Sequence, residues 1–215
     1  MTVKLISYSK GEKDESLQDI IAYTARVSNP SNQDNTETSE RLLRYLIREK
    51  HWSPFEMVSA CLEVTTTRDI ARQLLRHRSF SFQEFSQRYA DPTQDLNFVM
   101  RQARLQDTKN RQNSLDVNDP DLQLEWYKQQ AEVTNTAKKS YEWAIENGIA
   151  KEQARAVLPE GIMESRLYVN GTIRSWIHYI ELRSGHGTQK EHIELARACA
   201  DALEPVFPMI REFCN

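Results

Sequence analysis

The stretch TTRDIARQLLRHRSFSFQEFSQRY, residues 66–89, joins a helical pattern to a cluster of charged side chains. Four apolar residues recur at the spacing of one helix face: Ile70, Ala71, Leu74 and Leu75. Because threonine is a favourable capping residue, the helix is expected to begin at Thr67. The opposite face carries Arg72, Gln73 and Arg76. It leads into a loop-like segment with Glu84, Ser86 and Arg88, so polar side chains are predicted to converge near one helix end.

Arginine and hydroxyl side chains in this segment form a candidate anion site, made of Arg76, Arg78, Ser86 and Arg88. A guanidinium group is always charged and presents a planar fork of donors, which suits a phosphate or another planar anion. A solvated basic helix end is the alternative, since arginine also complements the helix dipole. Aromatic residues interleave with the polar ones, at Phe80, Phe82 and Phe85, and an exposed loop would avoid them. We therefore expect a partly buried, structured loop.

Length and composition limit the classes of protein to consider. A chain of 215 residues is long enough for one full-sized core, so residues 1–215 are interpreted as a single domain. Hydrophobic residues make up 39% and the mean hydropathy is -0.68, which is typical of a soluble, helix-rich globule. The sequence shows neither an apolar run of membrane-spanning length nor a signal-peptide pattern, so we expect a cytoplasmic protein.

Charge and motif content narrow the choice of ligand. A net charge of -3 gives no general affinity for nucleic acid, so a small phosphorylated ligand is favoured over a polymer. The sequence lacks the glycine fingerprint of a dinucleotide-binding Rossmann fold. A metal site is not expected, because His186 and His192 would not share a helix face. The three cysteines, Cys61, Cys199 and Cys214, lack a metal or redox motif and are interpreted as packing or mobile residues rather than nucleophiles.

The remaining patterns predict an α/β fold of the α+β kind. Strands are predicted over 3–9, 57–66 and 96–102, with an extended stretch over 162–169. Helices are predicted over 15–27, 36–50, 122–147, 151–158 and 190–203, with one more capped by Thr172 and a last one from Pro205 to Phe213. The aromatic stripe of the 122–147 helix is expected to lie in the core. The polar stretch 103–121 is predicted to be a surface excursion, and its composition is typical of disorder.

Four segments resemble the flavin-dependent thymidylate synthases (ThyX). The first is RHRSFSFQEFSQR, residues 76–88, which fits Arg-His-Arg, seven residues, Ser, any residue, Arg. The others are HWSPFE at 51–56, EQARAVLP at 152–159 and NGTIRSWIHYIELR at 170–183. The resemblance implies the ThyX-like fold, which is a central, mostly antiparallel sheet flanked by helices. It also implies a homotetramer whose active sites are completed between subunits.

The resemblance further implies reductive methylation of dUMP to dTMP without a cysteine nucleophile. Methylenetetrahydrofolate would supply the carbon, and FAD reduced by NADPH would supply the hydride. The implied dUMP contacts are Gln73, Arg76, Glu84, Ser86, Arg88, Arg155 and Arg183. The implied FAD contacts are Ser53, Glu56, His77, Arg78, Glu84, Asn170, Arg174 and His178. The implied catalytic residues are Arg183 and Arg76 at the pyrimidine and His51 near the folate or the nicotinamide.

Some positions depart from the family pattern, and two alternatives stay open. His186 lies one residue earlier than the usual histidine, and Met57 stands where a histidine often occurs, whereas Gln189 and Glu191 match. One alternative is an arginine-rich module that binds RNA or a phosphorylated partner without turnover. The other is a degenerate family member that keeps the fold without activity.

Overall fold

The computed structural model describes residues 1–214 and contains two antiparallel sheets. The strands are β1 (Thr2–Tyr8), β2 (Ser59–Thr67), β3 (Ser81–Glu84), β4 (Arg104–Gln106), β5 (Ser114–Asp116) and β6 (Glu164–Thr172). The larger sheet has the order β1-β2-β6-β3, and each neighbouring pair is antiparallel. Strands β4 and β5 form a separate hairpin. The predicted α+β class with a central antiparallel sheet is confirmed.

Residues 1–214 contain eight α-helices, and α3, α7 and α8 pack against the larger sheet. They are α1 (Leu17–Ala25), α2 (Ser39–Arg48), α3 (Arg68–Leu74), α4 (Pro92–Asp95), α5 (Pro120–Glu146), α6 (Lys151–Ala154), α7 (Ile173–Ser184) and α8 (Lys190–Leu203). Short 3-10 helices lie at Pro30–Asn32, Ser53–Glu56, Arg155–Val157 and Pro208–Phe213. In this described part of the chain, no helix combines the length and apolar character that crossing a bilayer requires.

Strands β2 and β6 form the centre of the fold. Their register runs unbroken from Ser59 opposite Thr172 to Thr67 opposite Glu164. Alternate residues of β2 are buried, including Leu62 and Val64, because successive side chains of a strand point to opposite faces. These residues pack in the main apolar cluster with buried residues of α3, α7 and α8.

The two central strands each lead directly into a helix of the candidate site. Helix α3 follows β2, and α7 follows β6 after Thr172, whose side chain accepts a hydrogen bond from the Ser175 backbone N–H as an N-cap. Since β2 and β6 are antiparallel, α3 and α7 begin at opposite ends of the sheet. Thr67 is the N-terminal flanking residue of α3, as predicted, but its hydroxyl donates to the Asp69 side chain at 2.6 Å instead of capping the helix.

The segment after α3 differs from the prediction of a loop. Residues 81–84 form β3, whose Ser81 lies opposite Asn170 and whose Glu84 lies opposite Leu167. The strand forms because β6 would otherwise expose an unpaired edge there. Residues 96–102 were predicted as a strand, but they make only an isolated bridge between Phe98 and Met163.

Residues 103–121 form the predicted surface excursion but are not disordered, and α5 also differs from expectation. The polar stretch is ordered as the β4–β5 hairpin, because charged and amide side chains anchor it to α5 and α8. The predicted core position of the α5 aromatic stripe is wrong for this chain. Trp126, Tyr127 and Trp143 are 42%, 54% and 60% exposed, and only Tyr141 is buried.

Candidate active site

Two arginine side chains of α3, Arg68 and Arg72, converge on Glu84, which lies on the neighbouring strand β3. The Glu84 carboxylate accepts a hydrogen bond from Arg72 Nη1 at 3.0 Å and another from the Ser165 hydroxyl at 2.7 Å. Arg68 Nη1 lies 3.6 Å from the same carboxylate, in a side chain that is almost fully buried. That Arg68 nitrogen has no hydrogen-bond partner, so the cluster retains a buried donor. Burial lowers the pKa of the Arg68 guanidinium and the neighbouring Arg72 charge lowers it further, whereas Glu84 raises it.

Ser86 and Arg88 lie beyond β3, and Arg88 and Arg155 each contact Glu152. Arg88 Nη2 is 3.4 Å from a carboxylate oxygen of Glu152, and Arg155 Nε donates to the Glu152 backbone carbonyl at 3.3 Å. The Ser86 hydroxyl accepts a hydrogen bond from the Arg88 backbone N–H at 3.3 Å. Arg88 and Glu152 are both exposed, so their pairing contributes little to stability and an anion could replace the carboxylate. Ser86 and Arg88, which are predicted to bind the phosphate, therefore lie in one turn, and Glu152 contacts both Arg88 and the predicted nucleotide contact Arg155.

The turn after α3 meets the last turn of α7. Arg183 Nε donates to His77 Nε2 at 2.9 Å, so that ring nitrogen is unprotonated. Burial, together with the charges of Arg183 and Arg76, lowers the pKa of His77 to about 4. His77 is therefore neutral at pH 7, and it holds Arg183 by Nε while the terminal amino groups of that guanidinium remain available. Arg76 is exposed beside this pair.

A second surface combines the first turns of α7 with the 3-10 helix at Ser53–Glu56. Arg174 Nη1 forms an ion pair with Glu56, and the His178 ring packs edge-on against Trp52 at 4.7 Å. Burial, followed by the Arg174 charge, lowers the pKa of His178. Ser53 lies exposed at the start of the same 3-10 helix.

The turn that carries Arg78 is fixed to this surface. The Ser175 hydroxyl donates to the Ser79 backbone carbonyl at 3.3 Å, which joins the turn to the start of α7. Phe80 packs on Trp176 with ring centroids 4.5 Å apart, and its ring covers Gly171. Arg78 is exposed in this turn, and the exposed Asn170 lies opposite Ser81 in the sheet.

The contacts of His51 are with α2 and do not include Arg76 or Arg183 among the described residues. Its backbone N–H bonds the Leu46 carbonyl at the end of α2, and its exposed ring packs edge-on against Tyr45 with centroids 6.4 Å apart. The described contacts place it at a helix C-terminus, so its catalytic role stays a prediction.

Sequence reasoning did not assign a site role to Arg68, Arg72, Trp52 or His192. Arg68 and Arg72 could have been found from the sequence, since they lie four residues apart on the α3 helix. His192 gave no local signal, because its partners come from two other helices. It is fully buried on α8 and bonds Gln73 and Tyr179.

The cysteines are not placed as nucleophiles. Burial raises the pKa of the Cys61 and Cys199 thiols, and Cys199 is completely buried. An activated thiol would need a lowered pKa and an accessible sulfur. The geometry therefore supports a guanidinium-rich candidate anion site, and the raised pKa values of these two thiols do not favour a nucleophilic role for them.

Comparisons with known proteins identify the class to which this site belongs. Residues 4–209 match the family described as thymidylate synthase complementing protein. A probable flavin-dependent thymidylate synthase of Paramecium bursaria Chlorella virus 1 is 51% identical over 212 residues, which cover 98% of this chain and 97% of the relative. The flavin-dependent thymidylate synthase of Synechocystis sp. is 49% identical over 216 residues, with coverage of 98% and 97%.

A solved structure agrees with these relatives. The UMP/dUMP methylase PolB from Streptomyces cacaoi, bound with 5-Br dUMP, superposes with a TM-score of 0.83 at 26% identity, covering 99% of this chain and 93% of PolB. The chain therefore belongs to the family of flavin-dependent thymidylate synthases. The predicted family, fold class and enzyme class are confirmed.

Proposed function

We propose that this protein converts dUMP to dTMP by reductive methylation, with residues 1–215 acting as one catalytic domain. The observation that carries the proposal is the folding of residues 76–88. This segment places Ser86 and Arg88 in one turn, where Arg88 pairs with Glu152 three residues before Arg155, and it sets His77 against Arg183. The comparisons support a pyrimidine nucleotide as substrate, since the PolB structure holds 5-Br dUMP.

The proposed nucleotide contacts form two groups, one at the phosphate and one at the pyrimidine. Ser86, Arg88 and Arg155 would bind the phosphate, because guanidinium groups pair with phosphate oxygens through two parallel hydrogen bonds. Arg183 and Arg76 would lie at the pyrimidine. Gln73 and Glu84, held by the contacts around α3, would complete the nucleotide site together with these residues.

The residues present fit a flavin dinucleotide. The donor set at the α7 surface contains the exposed guanidinium of Arg78 and the half-buried guanidinium of Arg174, which suit a pyrophosphate. Arg174 is paired with the exposed Glu56, and an exposed ion pair of this kind is easily exchanged for another anion. His77, His178, Asn170, Ser53 and Glu84 would complete the FAD contacts.

The chain's own residues would bind and orient the nucleotide and the flavin, and they would stabilise negative charge. FAD, when bound and reduced, supplies a hydride to the pyrimidine. Arg183 and Arg76 would stabilise negative charge as it develops on the ring oxygens, because fixed cations in a partly buried site need no reorganisation. His77 keeps Arg183 in place without adding a second positive charge, since its pKa of about 4 leaves it neutral. None of the three cysteines is required in this scheme.

We further propose NADPH as the reductant, methylenetetrahydrofolate as the carbon donor and His51 as a residue near one of them. A homotetramer with active sites shared between subunits is proposed as well. The exposed aromatic side chains of α5 support it, since Trp126, Tyr127 and Trp143 are 42%, 54% and 60% exposed and aromatic residues are enriched at protein interfaces. The proposed location is the cytoplasm.

One experiment separates this enzyme from a phosphate-binding module. The purified protein should be yellow, should bleach when NADPH is added without oxygen, and should form dTMP from dUMP and methylenetetrahydrofolate. The Arg78→Ala variant should retain less flavin, and the Arg211→Ala variant, which alters an exposed ion pair with Asp201 and Glu204, should match the wild type. A colourless protein that does not take up added FAD would rule out the proposed flavin-dependent reaction.

A further inference from the structure

A continuous chain of hydrogen bonds crosses the interior from α7 to the β4–β5 hairpin. The Tyr179 hydroxyl lies 3.2 Å from His192 Nε2, and His192 Nδ1 lies 3.2 Å from Gln73 Oε1. Gln73 Nε2 donates to Gln189 Oε1 at 2.9 Å, and Gln189 Nε2 donates to Glu191 Oε2 at 3.0 Å. All five side chains are buried or half-buried.

The Glu191 carboxylate at one end of this chain determines which group donates and which accepts in each hydrogen bond. Glu191 is held ionised by Arg104, which bonds Oε1, and by Arg101, whose Nη1 lies 3.3 Å from Oε2. Burial raises the pKa of the Glu191 carboxyl, but these two arginines lower it, and the net pKa lies below its ordinary value. An ionised carboxylate only accepts, so Gln189 must present its amide nitrogen to it. Gln189 then offers its oxygen to Gln73.

The same reasoning fixes the tautomer of His192. Gln73 donates to Gln189 from its nitrogen, so its oxygen faces His192, and the nitrogen that meets this oxygen must carry a proton. His192 is therefore protonated on Nδ1. Burial, helped by the charges of Arg183 and His77, lowers the pKa of His192 to about 3, so the ring is neutral and Nε2 accepts from Tyr179. Burial also raises the Tyr179 pKa well above its ordinary value, so its hydroxyl keeps the proton it donates.

We infer that His192 is a positioning residue, which acts through Gln73 to present an amide N–H to the nucleotide. Gln73 Nε2 carries two hydrogens and gives one to Gln189, so the second is available to an oxygen of the ligand. Without the Nδ1 donor, the side-chain amide of Gln73 could rotate so that its oxygen and nitrogen exchange places. The amide oxygen would then face the oxygens of the nucleotide. This inference rests on the proposed function for the ligand, but the tautomer of His192 does not.

The first test measures the tautomer in the wild-type protein without any ligand. Selective ¹⁵N-histidine labelling and long-range ¹H–¹⁵N correlation spectra identify the protonated ring nitrogen, and loss of the signal in the His192→Asn variant assigns it. The expected result is a proton on Nδ1 and none on Nε2 at pH 7. A proton on Nε2 would overturn the inference, because Nδ1 could not then donate to Gln73.

The second test compares three variants by the dissociation constant for dUMP, measured by calorimetry with flavin absorbance as the check on the site. The His192→Asn variant places an amide N–H near the position of Nδ1 and should stay within about threefold of wild type. The His192→Gln variant reaches the Nε2 position only, and His192→Leu reaches neither. Both should weaken dUMP binding by about tenfold, which corresponds to about 1.4 kcal/mol.

The outcomes separate the two proposals. If the wild type does not bind dUMP, the proposed function fails, and the spectra still decide the tautomer. If all three variants lose affinity and flavin equally, His192 serves packing alone and the positioning role is overturned. Wild-type affinity in His192→Leu would overturn it as well.

Discussion

The Gly171→Ala substitution should destabilise the protein, because the Phe80 ring occupies the place of the missing side chain. A Cβ atom on Gly171 would lie 2.2 Å from Phe80 Cδ1 and 2.4 Å from Cε1, whereas ordinary contact begins at 3.4 Å. The ring would have to withdraw by about 1.2 Å, the difference between 3.4 and 2.2 Å. It cannot do so freely, since Phe80 is 7% exposed and packs on Trp176 and Tyr179.

The expected cost follows from overpacking of a filled core. Such changes cost about 1–3 kcal/mol. In a chain of this length that loss lowers the Tm by about 2–12 °C. The turn should move with the ring, because the Phe80 backbone N–H bonds the His77 carbonyl at 3.2 Å. Flavin retention should therefore fall together with stability.

Thermal unfolding of four variants tests this reasoning. Gly161→Ala is the matched control, since nothing lies within 4 Å of a Cβ there, and it should change stability by less than about 0.5 kcal/mol. In a Phe80→Leu background, Gly171→Ala should cost at least about 1 kcal/mol less than in wild type. If the cost of the double variant equals the sum of the costs of Gly171→Ala and Phe80→Leu within about 0.5 kcal/mol, the steric explanation is refuted.

Three further predictions concern binding, pH and the thiols. Arg88→Ala should weaken dUMP binding by about 1.5–3 kcal/mol, the loss of a charged hydrogen bond, in calorimetry against the Arg211→Ala control; unchanged affinity would place the phosphate elsewhere. His77 has a folded pKa of about 4, below its ordinary 6.5, so the unfolded chain binds more protons between these values. Urea unfolding should show stability falling as pH drops from 6.5 towards 5, less steeply in His77→Gln, and equal slopes would contradict the assignment. Cys61→Ala should keep turnover in a dTMP assay, whereas complete loss with fold and flavin intact would indicate a thiol mechanism.

The sequence predicted those parts of the fold that local patterns determine. Apolar alternation indicated β1 and β2, and the helical spacing after Thr172 indicated α7 together with its cap. Strand β3 escaped prediction because four residues at a sheet edge depend on a partner, β6, that lies more than 80 residues further along the chain. The exposed face of α5 escaped prediction because periodicity shows that a helix has an apolar side, but not whether the rest of the same chain covers that side.

In the candidate site, too, the sequence predicted the residues that lie close together in the chain and missed the contacts between distant ones. The motif at 76–88 indicated Ser86 and Arg88, since their spacing is local. The bond between Arg183 and His77 joins residues 106 positions apart, so it required the tertiary structure. The spacing of His186 and His192 does not favour a metal site, and the positioning role proposed for His192 rests on the contacts of its two ring nitrogens.

The β4–β5 hairpin shows which changes of length the chain could tolerate. Its two apolar side chains, Leu105 and Leu115, are about half exposed, and its anchorage comes from Arg104 on Glu191 and Asp116 on Lys190. Lengthening a surface loop has a small entropic cost, about 0.6 kcal/mol for each doubling. Homologous chains could therefore gain or lose residues at the hairpin tip with little effect on folding, whereas a change at Arg104 would remove a bond to Glu191 and disturb the candidate active site.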